Sequence, residues 1–329
     1  MPRFTRRRAL AALAATPAAL LVHSSRAQSA PAFPSKTVRL IVPFPPGGPT
    51  DTVARLLAQK LQEDWRGEPV IVEYKPGAGT MIGTDFVAKS PPDGHTLGMA
   101  ISAHMINPSL QPNLPYDTLR DLTGVSQLAL AHFGLFAHPS VPASNVAELI
   151  DYAKKNPGKL SYATPGNGTG THLAGEMLKH MTGIDLLHVP YKGSAPAQQD
   201  VIGGRVPLLF DVLFSAMPFV QQGRLKVLAL SSPKRAAVHP EIPLIAETVP
   251  GFSAMSIIGV IAPAALPREL NQRIAADIGK AVRSPELSAR MTQLGMEPVG
   301  STPEQYNALI REEIAKWAQV VKAAGIKLE

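Results

Sequence analysis

Short runs of β-branched and other apolar residues alternate with amphipathic segments along most of the chain, and this alternation limits the possible folds more than any other feature. Strands are predicted at residues 38–42, 70–73, 96–101, 160–163, 186–189, 206–210 and 225–230, and helices at 52–62, 81–89, 145–155, 171–181, 267–282 and 303–324. Strands joined by crossover helices form parallel sheets that are covered by helices. We therefore predict an α/β fold whose ligands bind at the carboxyl ends of strands.

The first 27 residues have the pattern of a secretory signal peptide. A basic start is followed by an apolar run over residues 9–22 and by small residues that end at Ala27. The apolar run is shorter than the ~20 residues that span a bilayer. The segment TRRRAL fits a twin-arginine signal as well as the basic start of a general secretory signal. We expect export to the periplasm, with cleavage near Ala27 and Gln28 as the first residue of the exported chain.

The net charge of the chain belongs mostly to this leader. Its five arginines and absence of acidic residues take the formal charge from +7 for the whole chain to +2 for the remainder. That remainder gives no reason to expect nucleic acid binding. The chain has no cysteine, which excludes disulfides and thiolate metal sites. No segment after the leader is long and apolar enough to predict a membrane span.

The loop PFPPGGPTD follows the first strand and opens the first helix. It has no lysine, so it is not a phosphate-binding loop of the usual kind. We expect Thr50 or Asp51 to cap the helix and Gly47 and Gly48 to leave backbone N–H groups free. A helix N-terminus carries roughly half a positive charge, which suits a carboxylate that must be bound and released. The alternative is a tight turn without a ligand.

A second loop, SYATPGNGTGTHLAGEML, repeats this arrangement of strand, glycine-rich turn and helix. The hydroxyl groups of Thr164, Thr169 and Thr171 add hydrogen-bond donors. A dinucleotide-binding fingerprint is the competing interpretation, but it requires glycine where Thr171 stands. It also requires an acid at the far end of the next strand, whereas Asp185 precedes that strand. Two such loops, well separated along the chain, predict two facing domains that each form one wall of a cleft.

Weaker candidates follow other predicted strands. Ser102 and His104 come after the third strand, the segment YKGS at 191–194 follows the fifth, and Asp211 ends the sixth. Asp211 either accepts a hydrogen bond from a ligand amine or hydroxyl or caps the next helix. These groups leave an enzyme as the rival interpretation, a periplasmic hydrolase or lyase that uses His104 or His172 with Asp211.

Three polar residues of the helix predicted at 171–181 have the four-residue spacing of a zinc motif. His172, Glu176 and His180 offer two imidazoles and a carboxylate. Ligands on one helix converge poorly, however, and the face they share is expected to be solvated. The sequence contains no Gly-x-Ser-x-Gly elbow and no His-Glu-x-x-His motif. We expect no metal and no cofactor.

Several segments, in order, resemble the Bug family, the periplasmic solute-binding proteins of tripartite tricarboxylate transporters. They are RLIVPFPPGGPTDTVAR, GAGTMIGTDFVAKSPPDGHTL, NPSL, NPGKLSYATPGNGTGTHLAGE, HVPYKGSAPA, LKVLALSS and TPEQYNALIREEIAKWAQVVKAAGI. The resemblance covers essentially all of the chain after the leader. It implies a type II periplasmic binding protein fold, in which two α/β lobes of mainly parallel sheet are joined by crossing strands and close over a ligand.

The resemblance also implies the ligand class, the lobes and the partners. Ligands would be small carboxylates such as dicarboxylates, amino acids or aromatic acids. The lobes would be residues 28–131 plus 253–329 and residues 132–252. Partners would be membrane permease subunits or a sensor receptor, and the protein would be a monomer. Ligand contacts carried over by matching motifs are Phe44, Pro45, Gly47, Gly48, Thr50, Asp51 and Ser102 in the first lobe, and Thr164, Gly166, Gly168, Thr169 and Asp211 in the second.

The chain departs from the usual family pattern at a few positions. Tyr74 stands where asparagine is usual, Thr80 where glycine is usual and His95 where tyrosine is common. The segment Ile257-Ile258-Gly259 replaces one that usually contains tryptophan, which reshapes the expected cleft. These departures do not change the expected fold, but the identity of the ligand does not follow from the family pattern.

Overall fold

The computed structural model describes residues 33–326, so the predicted signal peptide lies outside the described residues. Its elements, in chain order, are β1 Val38–Val42, α1 Pro49–Asp64, β2 Val70–Tyr74, α2 Met81–Ala88, β3 Thr96–Ala100, α3 Ala103–Leu110, β4 Leu122–Ala137, α4 Val146–Lys155, β5 Ser161–Thr164, α5 Gly170–Thr182, β6 Leu187–Pro190, α6 Ser194–Ile202, β7 Leu208–Val212, α7 Leu213–Gln221, β8 Lys226–Leu230, β9 Met255–Pro263, α8 Arg268–Arg283, α9 Pro285–Gln293, β10 Met296–Pro298 and α10 Pro303–Ala324. Every strand and helix predicted from the pattern is present close to its predicted bounds.

The strands form one sheet in the order β2-β1-β3-β9-β4-β7-β5-β6, and β8 and β10 also pair with β4. Parallel pairs make up both ends of this sheet, where β1 pairs with β2 and β3, and β5 pairs with β6 and β7. Strands β4 and β9 add antiparallel pairs at the centre. The predicted α/β fold class is confirmed.

Strand β4 belongs to two sections of the sheet. Its residues from Leu122 to His132 pair with β9, and its residues from Phe133 to Ala137 pair with β7. The local pattern predicted neither β4 nor β9. Both pair with strands that are distant in the chain, and short apolar runs do not distinguish a strand from a buried helix. This shared strand joins the section that carries β1 to β3 to the section that carries β5 to β7.

Helix α10 packs on β4 and supports the centre of the sheet. The ring of Tyr306 is fully buried and lies so close to Gly124 and Gly259 that a Cβ at those positions would stand 2.8 and 2.4 Å from its atoms. Trp317 is also buried, and its Nε1–H donates to Glu313 at 2.8 Å. Within residues 33–326, no helix has the length and apolar character that crossing a membrane requires.

Candidate functional site

Five helices begin at one cavity between the two sections of the sheet. Its wall includes Gly48 before α1, Ser102 before α3, Thr169 before α5, Gly193 before α6 and Val212 before α7. The first N–H groups of a helix have no acceptor within that helix, and each helix start carries roughly half a positive charge. The free volume of the cavity is about 60 Å³. Its field therefore favours an anion without a cluster of cationic side chains.

The rest of the cavity wall is largely apolar. Phe44, Ile101, Phe133 and Ile258 line it together with proline residues from both sections. The charged residues among those lining it are Lys192 and Asp211. An anionic group attached to an apolar body matches this combination of helix starts and hydrocarbon surface.

The loop before α1 is held by Asp51. One of its carboxylate oxygens accepts the Gly47 N–H at 2.8 Å, and the other accepts the Tyr74 hydroxyl at 2.8 Å and the Arg55 Nε–H at 2.9 Å. The prediction that Thr50 or Asp51 caps α1 is wrong, because the helix already begins at Pro49 with Gly48 as its cap. Proline suits the first helical position, where no N–H is needed. Gly47 and Asp51 thus lie outside the cavity wall, where they shape the loop.

The loop before α5 is closed by Thr169, which caps the helix. Its hydroxyl donates to the Gly166 carbonyl at 2.7 Å and accepts the His172 N–H at 3.3 Å. Gly166 has φ +152° and Gly168 has φ +72°, so the turn needs glycine at both positions. Thr169 and the helix start at Gly170 reach the cavity, whereas Gly166 and Gly168 do not line it.

Two histidines support this loop from behind. Gly168 donates its N–H to His172 Nδ1 at 3.3 Å, and Thr164 Oγ1 lies 2.7 Å from His188 Nε2. The contact with His188 therefore holds the hydroxyl of Thr164. Thr164 is fully buried and does not line the cavity.

Asp211 is fully buried at the end of β7. Its carboxylate accepts hydrogen bonds from Ser194 Oγ at 2.9 Å, Gln198 Nε2 at 2.8 Å and the Val212 N–H at 2.8 Å. Burial raises the pKa of Asp211 to about 6, and the bonds from Val212, Ser194 and Gln198 oppose that rise. Through Ser194 and Gln198, the side chain of Asp211 fixes the start of α6. Asp211 does not cap the next helix, α7, because Val212 takes that cap position.

Ser102 ties the start of α3 to β9. Its Oγ accepts the Ile257 N–H and donates to the Met255 carbonyl, both at 3.2 Å. His104, two residues later, is buried, and burial lowers its pKa to about 4. Neither His104 nor His172 lines the cavity, so the histidines of the enzyme interpretation are not placed to meet a bound molecule there.

The zinc spacing on α5 has a structural explanation. His172 is buried and stacks on His188, Glu176 accepts the Tyr162 hydroxyl at 2.6 Å, and His180 is exposed. The expectation that all three share a solvated face is wrong for His172, because the face toward β5 and β6 buries it. His172 and His180 point into different surroundings and form no shared site.

The two walls of the cavity are in contact. A Cβ added to Gly170 would lie 2.7 Å from Phe133 Cζ and 3.2 Å from Ser102 Cβ. A Cβ added to Gly79 would lie 3.0 Å from the Asn167 carbonyl oxygen on the opposite side. Glycine at these two positions thus permits the close approach of the two walls.

An outer chamber of about 640 Å³ lies beside the cavity, and six residues line both. Part of its wall is the segment from Gly77 to Thr80, in which every residue has positive φ: +128°, +47°, +59° and +80°. Such angles are unfavourable for Ala78 and more so for Thr80, which is β-branched. Strained backbone of this kind concentrates at ligand-binding regions.

The sequence profile described as tripartite tricarboxylate transporter family receptor matches residues 53–326. The chain belongs to this family. It is a family of periplasmic solute-binding receptors, as the sequence resemblance implied. The receptor is 36% identical to the protein BugT of Bordetella pertussis over 304 residues, which are 92% of this chain and 93% of BugT. It is 37% identical over 318 residues to a UPF0065 protein of Pseudomonas sp. (strain P51), covering 96% and 94% of the two chains.

Solved structures agree with this assignment. Rpa4515 of Rhodopseudomonas palustris, solved with adipate, superposes with a TM-score of 0.87 at 34% identity and covers 90% of this chain and 99% of its own. MatC of the same organism, solved with bound malate, has a TM-score of 0.83 at 31% identity and covers 88% and 100%. The periplasmic binding protein BugD has a TM-score of 0.85 at 34% identity and covers 90% and 100%.

Proposed function

We propose that this receptor captures a small carboxylate in the cavity where five helices begin. The convergence of these helix starts carries the proposal, because it concentrates positive partial charge, and N–H groups that have no partner within their own helix ladder, at one place. The apolar remainder of the wall suits the body of an organic acid. Related receptors solved with adipate and with malate support the same ligand class.

The predicted lobes, residues 28–131 plus 253–329 and residues 132–252, move as units in this proposal. Support comes from β4, which exchanges its partner β9 for β7 between His132 and Phe133. A carboxylate held by helix starts from both lobes is bound more tightly when the lobes are closed. Ligand therefore shifts the population toward the closed form, which is the form that a membrane partner recognises.

The twelve ligand-contact residues expected from sequence divide into two groups in this proposal. The residues on the cavity wall contact the ligand directly, and they are Phe44, Pro45, Gly48, Thr50, Ser102, Thr169 and Asp211. The other five residues hold the two loops in shape, and they are Gly47, Asp51, Thr164, Gly166 and Gly168. Backbone amides and hydroxyls, rather than ion pairs, then bind the acid.

The receptor acts in the periplasm in this proposal, after removal of the leader near Ala27. It acts as a monomer, without catalysis, and delivers its closed form to permease subunits of a tripartite tricarboxylate transporter or to a sensor receptor. The position of both candidate histidines away from the cavity wall supports binding over a hydrolase or lyase.

Calorimetry and thermal shift with the exported protein test the proposal. The panel contains adipate, malate, benzoate and glutamate, with adipamide as the uncharged control. We expect saturable binding of one acid per protein molecule, a raised melting temperature and no product after prolonged incubation. Conversion of an acid to product would support the hydrolase or lyase, and failure of every acid to bind would contradict a carboxylate receptor.

A further inference from the structure

We infer that Asn107 is a positioning residue for ligand binding, a stop that sets how closely the two proposed lobes approach each other. Asn107 belongs to the first lobe, and the residue that it meets, Gly168, belongs to the second. Neither of the two lines the cavity or the outer chamber. The inference rests on the proposed function, because a stop matters only if the lobes move to bind a ligand.

The contact between Asn107 and Gly168 is tight. Asn107 lies in α3, and its side chain is fully buried. A Cβ added to Gly168 would stand 3.2 Å from Asn107 Oδ1. Gly168 therefore presents only a hydrogen to this oxygen, and a larger group at that position would force one side to move.

Hydrogen bonding does not explain why the Asn107 oxygen lies there. Asn107 Oδ1 has no hydrogen-bond partner among residues 33–326. A buried amide oxygen without a partner costs free energy and is uncommon in native structures. The Cα–H group of Gly168 offers at most a weak hydrogen bond. The contact thus fixes the distance between the two sides rather than bonding them together.

The amide of Asn107 cannot turn away from Gly168 without losing its other contacts. Its Nδ2 donates to the Gly79 carbonyl at 3.0 Å and to Thr80 Oγ1 at 3.4 Å. Gly79 itself approaches the other lobe, because a Cβ there would lie 3.0 Å from the Asn167 carbonyl oxygen. Helix α10 packs on α3 and supports it. The stop is therefore rigid on the side of the first lobe.

Gly168 connects the stop to the cavity wall. Its N–H donates to His172 Nδ1 at 3.3 Å, which ties it to α5. The next two residues, Thr169 and Gly170, line the cavity at the start of that helix. A shift of Gly168 away from Asn107 would therefore move this helix start away from the first lobe, and a ligand between the lobes would be held less tightly.

A double-mutant cycle tests the stop. Calorimetry measures the affinity of the exported protein for adipate, malate, benzoate and glutamate in the wild type, Gly168→Ala, Asn107→Ala and the double variant. We expect Gly168→Ala to lower the affinity for every acid that the wild type binds, by about tenfold. In the Asn107→Ala background the same change should cost less than about threefold, because the added methyl then has room.

Gly183→Ala is the matched control. Gly183 caps the C-terminus of α5 with φ +69°, close to the +72° of Gly168, and a Cβ there would meet no atom within 4 Å. Both changes to alanine should lower the melting temperature through backbone strain, but only Gly168→Ala should lower affinity. Asn107→Ala should also lower the melting temperature, because it loses the bond to Gly79. A destabilising change that rescues binding separates positioning from a purely structural role.

The outcomes distinguish this inference from the proposed function. If Gly168→Ala costs the same affinity in both backgrounds, strain in the loop is responsible, so the inference is overturned and the carboxylate receptor stands. The same holds if Gly168→Ala leaves affinity unchanged or if Gly183→Ala weakens binding as much. If the wild type binds none of the acids, the proposed function fails and the inference fails with it.

Discussion

The imidazole rings of His172 and His188 stack behind the 164–170 loop, with centroids 4.0 Å apart and planes 18° apart. Burial lowers the pKa of His172 to about 4 and that of His188 to about 3, and for His188 the proximity of His172 adds to the effect. Glu176 acts on His172 in the opposite direction and Lys179 in the same direction as burial. Both rings are thus neutral near pH 7, and as neutral rings they hold Gly168 and Thr164.

The His172 ring makes stability dependent on pH. Between its pKa of about 4 in the folded state and ~6.5 in the unfolded state, the unfolded chain binds more protons, so stability falls as pH falls. We expect His172 alone to lower the free energy of unfolding by about 2 kcal/mol at pH 5 relative to its value well above pH 6.5. Urea unfolding at pH 5 and pH 7.5 measures this difference.

The variant His172→Asn is the control for that prediction. Its Oδ1 keeps an acceptor near the position of Nδ1 for the Gly168 N–H but does not titrate. Its absolute stability is lower, because it loses the stacking on His188. The pH dependence should nonetheless be weaker than in the wild type. An equal pH dependence in both proteins would show that protonation of His172 is not responsible.

Thr80→Gly should stabilise the protein. Thr80 has φ +80°, which is costly for a β-branched residue, and its hydroxyl has only a 3.4 Å contact with Asn107 to lose. We expect the free energy of unfolding to rise by about 1 kcal/mol. Thermal or urea unfolding checks this, with Thr292→Gly in α9 as a control that should lose stability. A loss in both variants would contradict strain at Thr80.

Gly170→Ala should weaken ligand binding. The added methyl would stand 2.7 Å from Phe133 Cζ and 3.2 Å from Ser102 Cβ on the opposite wall, so the ring must move or the walls must separate, at about 1–3 kcal/mol. We expect affinity for the bound acid to fall about tenfold. The exposed change Gln59→Ala in α1 touches neither wall of the cavity and should leave affinity within about threefold. Calorimetry with one acid decides whether the two variants differ.

Asp211→Asn should destabilise the fold, most strongly at acidic pH. The amide presents an NH2 group where Ser194, Gln198 and Val212 all donate, and one unsatisfied donor costs about 1–3 kcal/mol. The pKa of Asp211 is raised to about 6, so its neutral form adds stability below pH 6, and this contribution is lost as pH rises from ~4 through 6. Unfolding at pH 5 and pH 7 should show the larger cost at pH 5. A cost that is the same or larger at pH 7 would argue against this titration.

Local periodicity predicted the outer parts of the sheet because each strand there is adjacent in sequence to the helix that covers it. The centre could not be predicted in this way. The residues of β4, LTGVSQLALAHFGLFA, contain no turn that divides them, and their partners in β7 and β9 come from far along the chain. Only the family resemblance implied strands that cross between lobes.

Much of the candidate site was also predictable, since strand ends and glycine-rich turns mark where helices begin. The sequence could not show which polar atoms are already used, and so it did not separate Asp51 and Thr164 from the cavity wall. Phe133 was missed because it lies on the unpredicted β4. Lys192 was noted as one of four residues after a strand, but its place on the cavity wall depends on the packing of both walls.

In the proposed receptor, the change of partners within β4 limits how the two lobes can separate. A strand that is hydrogen-bonded to both halves cannot let them slide past each other, so separation must proceed by rotation about the middle of the strand, near His132. The helix starts of one lobe would then move away from the solute together, as one rigid body.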